Sequence, residues 1–163
     1  MPSAIKATET ATGRSAAQAA SLLRSDTLEV AARIKSITDR RVKTNLLRTS
    51  VLAGARVVRD RAKVNAPERT GQLKEDIIAR TRRTRRGDKD IRATVTIKNG
   101  TRSRHIAHLA EFGTEAHEQR QLNSVHPGAK AQPFLRPAID ENPSEILDAV
   151  LKKARERLRK LNV

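Results

Sequence analysis

Between Asp39 and Pro67 the chain reads as one long amphipathic helix, and no other segment constrains the fold as much. Leu47, Val51, Ala55, Val58 and Ala62 recur at i, i+4, i+8, i+11 and i+15, with Leu46, Ala53 and Val57 beside them. That is the period of a helix with one apolar stripe. Asn65-Ala66-Pro67 ends it, because a proline disfavours helical geometry in the residue before it. Gly54 sits mid-helix, where it costs about 1 kcal/mol relative to Ala. A close approach by a second helix or a sheet is expected there.

The material available to cover that stripe is limited. Only 37% of the 163 residues are apolar, with two Phe, no Trp and no Tyr, so the core must be aliphatic and thin. Part of the burial is expected to come from neighbouring chains.

The remaining elements follow from local signals. Residues 1–25, rich in Ala, Ser and Thr, read as an N-terminal arm that orders only against a partner. Asp26 and Glu29 have capping-box spacing, and Leu28, Ala31, Ala32 and Ile34 continue into a short helix. After the long helix, Thr70-Gly71 turns the chain and Leu73 to Thr81 reads as a strand around Ile77 and Ala79. Ile91, Ala93, Val95 and Ile97 alternate with Arg92, Thr94, Thr96 and Lys98, a strand with one apolar face, and Asn99-Gly100 follows as a turn. The two strands are expected to pair. Residues 106–112, IAHLAEF, fit a third strand or a helical turn equally well. Residues 113–133 read as a long contact loop. Asn142, Pro143 and Glu145 supply an N-cap, an N1 proline and a capping-box acid. Leu147, Leu151, Ala154, Leu158 and Leu161 then keep helical spacing. The order predicts an α+β fold, with a long N-terminal helix and a C-terminal helix packed on a small antiparallel sheet. Residues 26–163 would form this single domain, carrying a basic hairpin at 80–92 and the loop at 113–133.

Reactive chemistry is sparse. The absence of cysteine excludes disulfides, thiolate zinc sites and thiol nucleophiles. His105, His108, His117 and His126, near Glu111 and Glu115, match no sharp metal motif. They read as solvated or interface histidines. No G-x-S-x-G elbow and no phosphate-cradling glycine loop is present, so no enzyme, metal or cofactor is expected. No apolar run suits a signal peptide or a membrane span, which places the chain in the cytoplasm unless it is carried out.

With 34 Lys and Arg against 18 Asp and Glu, the formal charge is +16, and a polyanionic partner is implied. Arg80, Arg82, Arg83, Arg85, Arg86, Lys89 and Arg92, offset by Asp88 and Asp90, lie between the two predicted strands. Such a hairpin tip is either a solvated loop or a surface that tracks a phosphate backbone with guanidinium forks. The basic run Lys152 to Lys160 reads as the wet side of the last helix. With two Phe in the chain, base stacking is nearly excluded, so any nucleic-acid contact would be backbone-directed and sequence-blind.

Three phrases taken in order, A-P-E-R-T-G-Q-L (66–73), H-L-A-E-F-G-T (108–114) and P-G-A-K-A-Q-P-F-L-R-P-A (127–138), resemble the neck proteins of tailed bacteriophages. These are also called head-tail joining or tail-completion proteins. The resemblance spans about residues 28–160, and the chain differs from the usual pattern in lacking a Tyr ahead of E-F-G-T. It implies a small α+β subunit without catalytic activity, found in the virion neck and in the host cytoplasm during assembly. Such a subunit would join a six-fold or twelve-fold ring between the portal-side head-completion connector protein and the tail terminator protein, around a DNA channel. By position, Pro67, Arg69, Thr70 and Gly71 would form the helix-to-strand corner. Glu111, Phe112, Gly113 and Thr114 would be the second signature, and Pro133, Phe134, Arg136, Pro137 and Ala138 the third. A carboxylate in an apolar phrase calls for a cation, so Glu111 is expected to pair with Arg136 or Arg69.

The leading expectation is therefore a structural ring subunit, with the 80–92 hairpin meeting channel DNA or an acidic rim on a neighbouring ring. The competing class is a free, sequence-independent nucleic-acid-binding protein, whose affinity would fall steeply with salt. A third, a metal-dependent enzyme using the histidines, is open to elemental analysis.

Overall fold

The computed structural model describes residues 21, 24–83, 91–119 and 124–162. Most of the expected N-terminal arm, and the tip of the basic hairpin, lie outside them. The elements in chain order are α1 (24–36), α2 (Arg40–Asn65), α3 (Gln72–Asp76), β1 (Ile77–Arg83) and β2 (Ile91–Ile97). They continue with α4 (Ser103–Phe112), β3 (His117–Gln119), β4 (Ser124–His126), α5 (Leu135–Asp140) and α6 (Pro143–Lys160). The α+β fold class is as the sequence implied.

The spine is α2. Asp39 caps it, its carboxylate accepting from the Arg41 and Val42 amides at 2.7 and 3.2 Å, which satisfies two of the free donors of a helix start. The helix stops at Ala66, whose N–H reaches the Ala62 carbonyl at 2.9 Å. Its buried residues are Leu46, Ser50, Gly54, Val58 and Ala62. The expected stripe is thus corrected, since Leu47, Val51 and Ala55 are only half-buried. The line of closest contact selects small residues, and hydrophobicity alone does not mark it. A Cβ on Gly54 would lie 2.7 Å from Val150 Cγ2 and 3.2 Å from Ile146 Cγ2, so the approaching element is α6.

The sheet has two strands. β1 and β2 pair antiparallel from Ile77 opposite Ile97 to Arg83 opposite Ile91. Both pack on α2, and the exposure of β2 alternates along most of its length as expected. The first strand begins four residues later than the sequence suggested, because Gln72–Asp76 is a helical turn. It opens at Gly71, whose φ of 73° belongs to the left-handed region glycine favours. Asp76 at its end is buried. The Ser103 side chain, hydrogen-bonded to it, leads in holding its carboxyl below the ordinary value. Burial opposes this, and Gln72, Thr101 and the charge of Lys98 reinforce it. Propensity is weak over five residues, and the Asp76–Ser103 bond is a tertiary contact at the end of this turn.

Two aliphatic clusters make the core. In the first, Val58, Ala62 and Ala66 meet Ile77, Ala107, Phe134 and Ala138, with Val95, Ile97 and Ile146 at its margin. In the second, Val30 of α1 and Leu46 meet Leu151, Ala154 and Leu158 of α6. Phe134 is the sole aromatic in either cluster, in keeping with the thin core read from composition. Two expected capping boxes are not formed. Asp26 lies inside α1 and bridges to Arg155 at 2.7 Å, while Glu29 pairs with Arg33 one turn on. Asn142 makes no side-chain cap at α6. Its amide donates instead to the Ala138 carbonyl, and Glu145 bridges to Arg61 at 2.7 Å. In both cases the carboxylate pairs with an arginine on another helix.

Candidate assembly interface

Residues 106–112, ambiguous in sequence, belong to α4. Ser103 and Ala107 are buried, and Glu111 follows one turn after Ala107 on the same side. Its carboxylate accepts three backbone amides from the start of α5: Phe134 at 2.8 Å and Leu135 at 3.0 Å through Oε2, and Arg136 at 3.1 Å through Oε1. The expected pairing with a guanidinium is corrected. The positive partner is a helix N-terminus. Arg69 is exposed and outside the contact, and Arg136 contributes by its charge and its backbone amide. Burial pushes the Glu111 carboxyl up, but the three amides and the Arg136 charge together hold it below its ordinary value of 4.5.

This clasp joins the second and third phrases, and two further links reinforce it. The Gln132 amide donates to the Ala110 carbonyl at 2.8 Å, and Thr114 and Ala129 exchange amide bonds at 2.8 and 3.0 Å. The backbones approach so closely that a Cβ on Gly113 would lie 2.7 Å from the Ala129 oxygen. Phe134 and Ala138 enter the core at 3% and 0% exposure. The expected loop at 113–133 is therefore corrected. Within it, β3 and β4 pair antiparallel as a small arm, His117 opposite His126. Those two rings stack at 5.2 Å, whereas His105 and His108 sit exposed on α4. Among the described residues no three metal-ligating side chains come together. Glu115 is exposed, and its backbone carbonyl lies 3.1 Å from His117 Nδ1.

Around the clasp an apolar surface stays uncovered. Phe112, between Glu111 and Gly113, is 69% exposed, and Ile106 and Leu109 on the same helix are 45% and 40% exposed. Val125 of β4 and Ile139 of α5 are exposed as well. Ile106, Leu109 and Phe112 step by three residues, so they share one side of α4, away from Ala107. Pro67, Arg69, Thr70 and Gly71 form the turn between α2 and α3, with Lys74 bridging back to Glu68 at 3.0 Å. Pro133 and Arg136 are exposed beside Phe134, and Pro137 is half-buried within α5.

The basic face is only partly described. Arg80 and Arg82 are exposed on β1 and Arg92 on β2, with Arg82 and Arg92 directly opposite one another. Arg83 closes β1, and Arg85, Arg86 and Lys89 lie outside the described residues. Sequence reading missed that α2 adds to this face. Arg48 Nε donates to Thr81 Oγ1 at 2.7 Å, and Arg40 and Arg41 stand two turns before it. The signal was the spacing of arginines along the wet side of α2. On α6, Leu151, Ala154 and Leu158 are buried, while of the basic run Lys152, Arg159 and Lys160 are exposed and Lys153, Arg155 and Arg157 half-buried. There Glu156, bridged by Lys153 and Lys160, is lowered to about 2.

The geometry is that of a helical spine carrying a small ribbon, with an uncovered apolar face on α4. Residues 28–113, more than half of the chain, match the family described as "Bacteriophage HK97-gp10, putative tail-component", and the chain belongs to this HK97-gp10-like family. It is a phage tail-related structural protein. The match runs from α1 through Gly113, covering the first phrase and all of the second but Thr114, and the third is tied to it by the Glu111 clasp. No curated protein and no solved structure gives a significant match.

Proposed function

We propose that this chain is a ring subunit of the phage neck, seated between the portal-side head-completion ring and the tail terminator. Its ring would enclose part of the DNA channel. The observation that carries the reading is the uncovered α4 face, Ile106, Leu109 and Phe112, beside the clasp. One of only two aromatic residues in the chain stands at 69% exposure there. An apolar strip on a rigid helix, repeated around an axis, gives a heterologous contact that closes on itself. Virion partners would add burial to a core too thin to be self-sufficient. Assembly, rather than catalysis, is the mechanism: head-side and tail-side proteins dock on the ring's two rims.

Light scattering of the full chain at roughly 0.5 M salt, where nonspecific polyanion contacts are screened, tests this reading. Wild type is expected to associate, and Phe112→Asp, altering an exposed side chain, to stay monomeric with unchanged thermal stability. Equal mass for both proteins, with wild type associated, would remove α4 from the interface. The basic face favours a second reading, a free nucleic-acid binder. That reading predicts a monomer at this salt and particles formed normally without the α4 contact.

A further inference from the structure

The N-terminal half of α2 and the far end of the β1–β2 ribbon enclose an open groove of about 550 Å3. Its lining includes Arg40, Arg41, Arg48 and Arg82, with Asn45 and Thr81 among the neutral groups and, among the described residues, no carboxylate. None of these four arginines has an ion-pair partner among the described residues, whereas seven other Arg and Lys do. Arg40 and Arg41 also occupy the first turn of α2, which holds no acid. The helix dipole disfavours cations there. The Arg48 Nε is satisfied by Thr81 Oγ1, which leaves its terminal nitrogens and the Thr81 hydroxyl proton for a ligand.

We propose that this groove binds the phosphodiester backbone of a nucleic acid. Guanidinium forks match pairs of phosphate oxygens, and Asn and Thr donors supplement them. Ile91 is the sole apolar residue in the lining among the described residues. Buried aromatic anchors carry much of the affinity of protein partners, whereas a phosphate chain needs none. The cations also continue past the groove onto the outer face of the ribbon at Arg80, as a polymer of evenly spaced charges requires. Both walls come from one chain, so the site stands whether or not the subunit closes into a ring. Contacts would be blind to sequence, because no aromatic side chain lines the groove to stack on a base.

Fluorescence anisotropy of the full chain with a labelled duplex of roughly 30 base pairs tests this, titrated over a range of salt. Arg40→Glu/Arg41→Glu is compared with Lys152→Glu/Arg159→Glu, which makes the same charge change on the exposed side of α6. Circular dichroism verifies that both fold. The groove variant is expected to bind at least tenfold more weakly and to lower the log-log salt slope by about 1.8, since each lost phosphate contact removes about 0.9. The α6 variant should change affinity by less than about threefold, a shift that net charge alone would produce. Equal losses in the two variants would overturn the groove. So would polyglutamate displacing the duplex at a lower charge concentration than unlabelled duplex does, which would point to an acidic protein instead. Light scattering on the same samples reports ring formation separately.

Discussion

Replacing Glu111 tests whether one carboxylate holds the two signature phrases together. In Glu111→Ala, three amides at the start of α5 lose their acceptor. At about 1.5 kcal/mol for each bond, the low end for a charged group, the three sum to about 4.5 kcal/mol before water compensates any of them. Leu135 is half-buried and Arg136 exposed, so water recovers much of those two bonds. The Phe134 amide belongs to a residue only 3% exposed, and it bears the larger part of the penalty. The expected loss is about 2–3 kcal/mol, or about 5–10 °C in melting temperature for a chain of this size. Glu111→Gln keeps one acceptor oxygen and should lose about half as much. The pH dependence has a definite sign. Because the folded carboxyl lies below its ordinary value of 4.5, its stabilisation is complete above that value and is lost as pH falls through the folded value. Urea unfolding of wild type and Glu111→Gln should therefore differ at pH 7 and converge on acidification below 4.5. A Glu111→Ala protein within about 0.5 kcal/mol of wild type, or a difference that persists unchanged in acid, would refute the clasp.

Three further outcomes follow from the packing. Gly54→Ala gains about 1 kcal/mol of helix propensity, but its Cβ meets Val150 Cγ2 at 2.7 Å. It should destabilise wild type by about 1 kcal/mol and become neutral or stabilising in a Val150→Ala background; equal effects in the two backgrounds, by chemical denaturation, would contradict the α2–α6 contact. Gly113→Ala places a Cβ 2.7 Å from the Ala129 oxygen at a φ of 75°. A cost of about 1–3 kcal/mol is expected, with faster hydrogen exchange at the Thr114 and Ala129 amides as the readout. Arg61→Ala removes a half-exposed bridge to Glu145 and should change stability by less than about 1 kcal/mol in the same denaturation assay.

What the sequence disclosed, and what it hid, divides by the range of the forces involved. The long helix, the alternating second strand and the last helix are set by periodicity within one segment, and their types were readable. Gly54 was legible as a close approach, although its partner was not. The short helices α3 and α5 are contacted at their ends by Ser103 on Asp76 and by Glu111 on α5, tertiary bonds that no local pattern encodes. Both capping boxes looked sound locally and do not form, because Asp26 already lies inside α1 and the Asn142 side chain bonds back to the Ala138 carbonyl. For Glu111, the need for positive charge was evident, but a helix N-terminus supplies it. Half of the basic groove escaped notice because Arg40, Arg41 and Arg48 are about forty residues away from the conspicuous arginines of the hairpin.

The measurement that bears most directly on the neck-ring account is the solution mass of the full chain at roughly 0.5 M salt, followed by negative-stain imaging of the same sample. The account predicts a closed ring with a central hole, its mass a whole multiple of 18.1 kDa, that forms on its own or on purified head-completion ring. A chain that stays at 18.1 kDa under both conditions would contradict it.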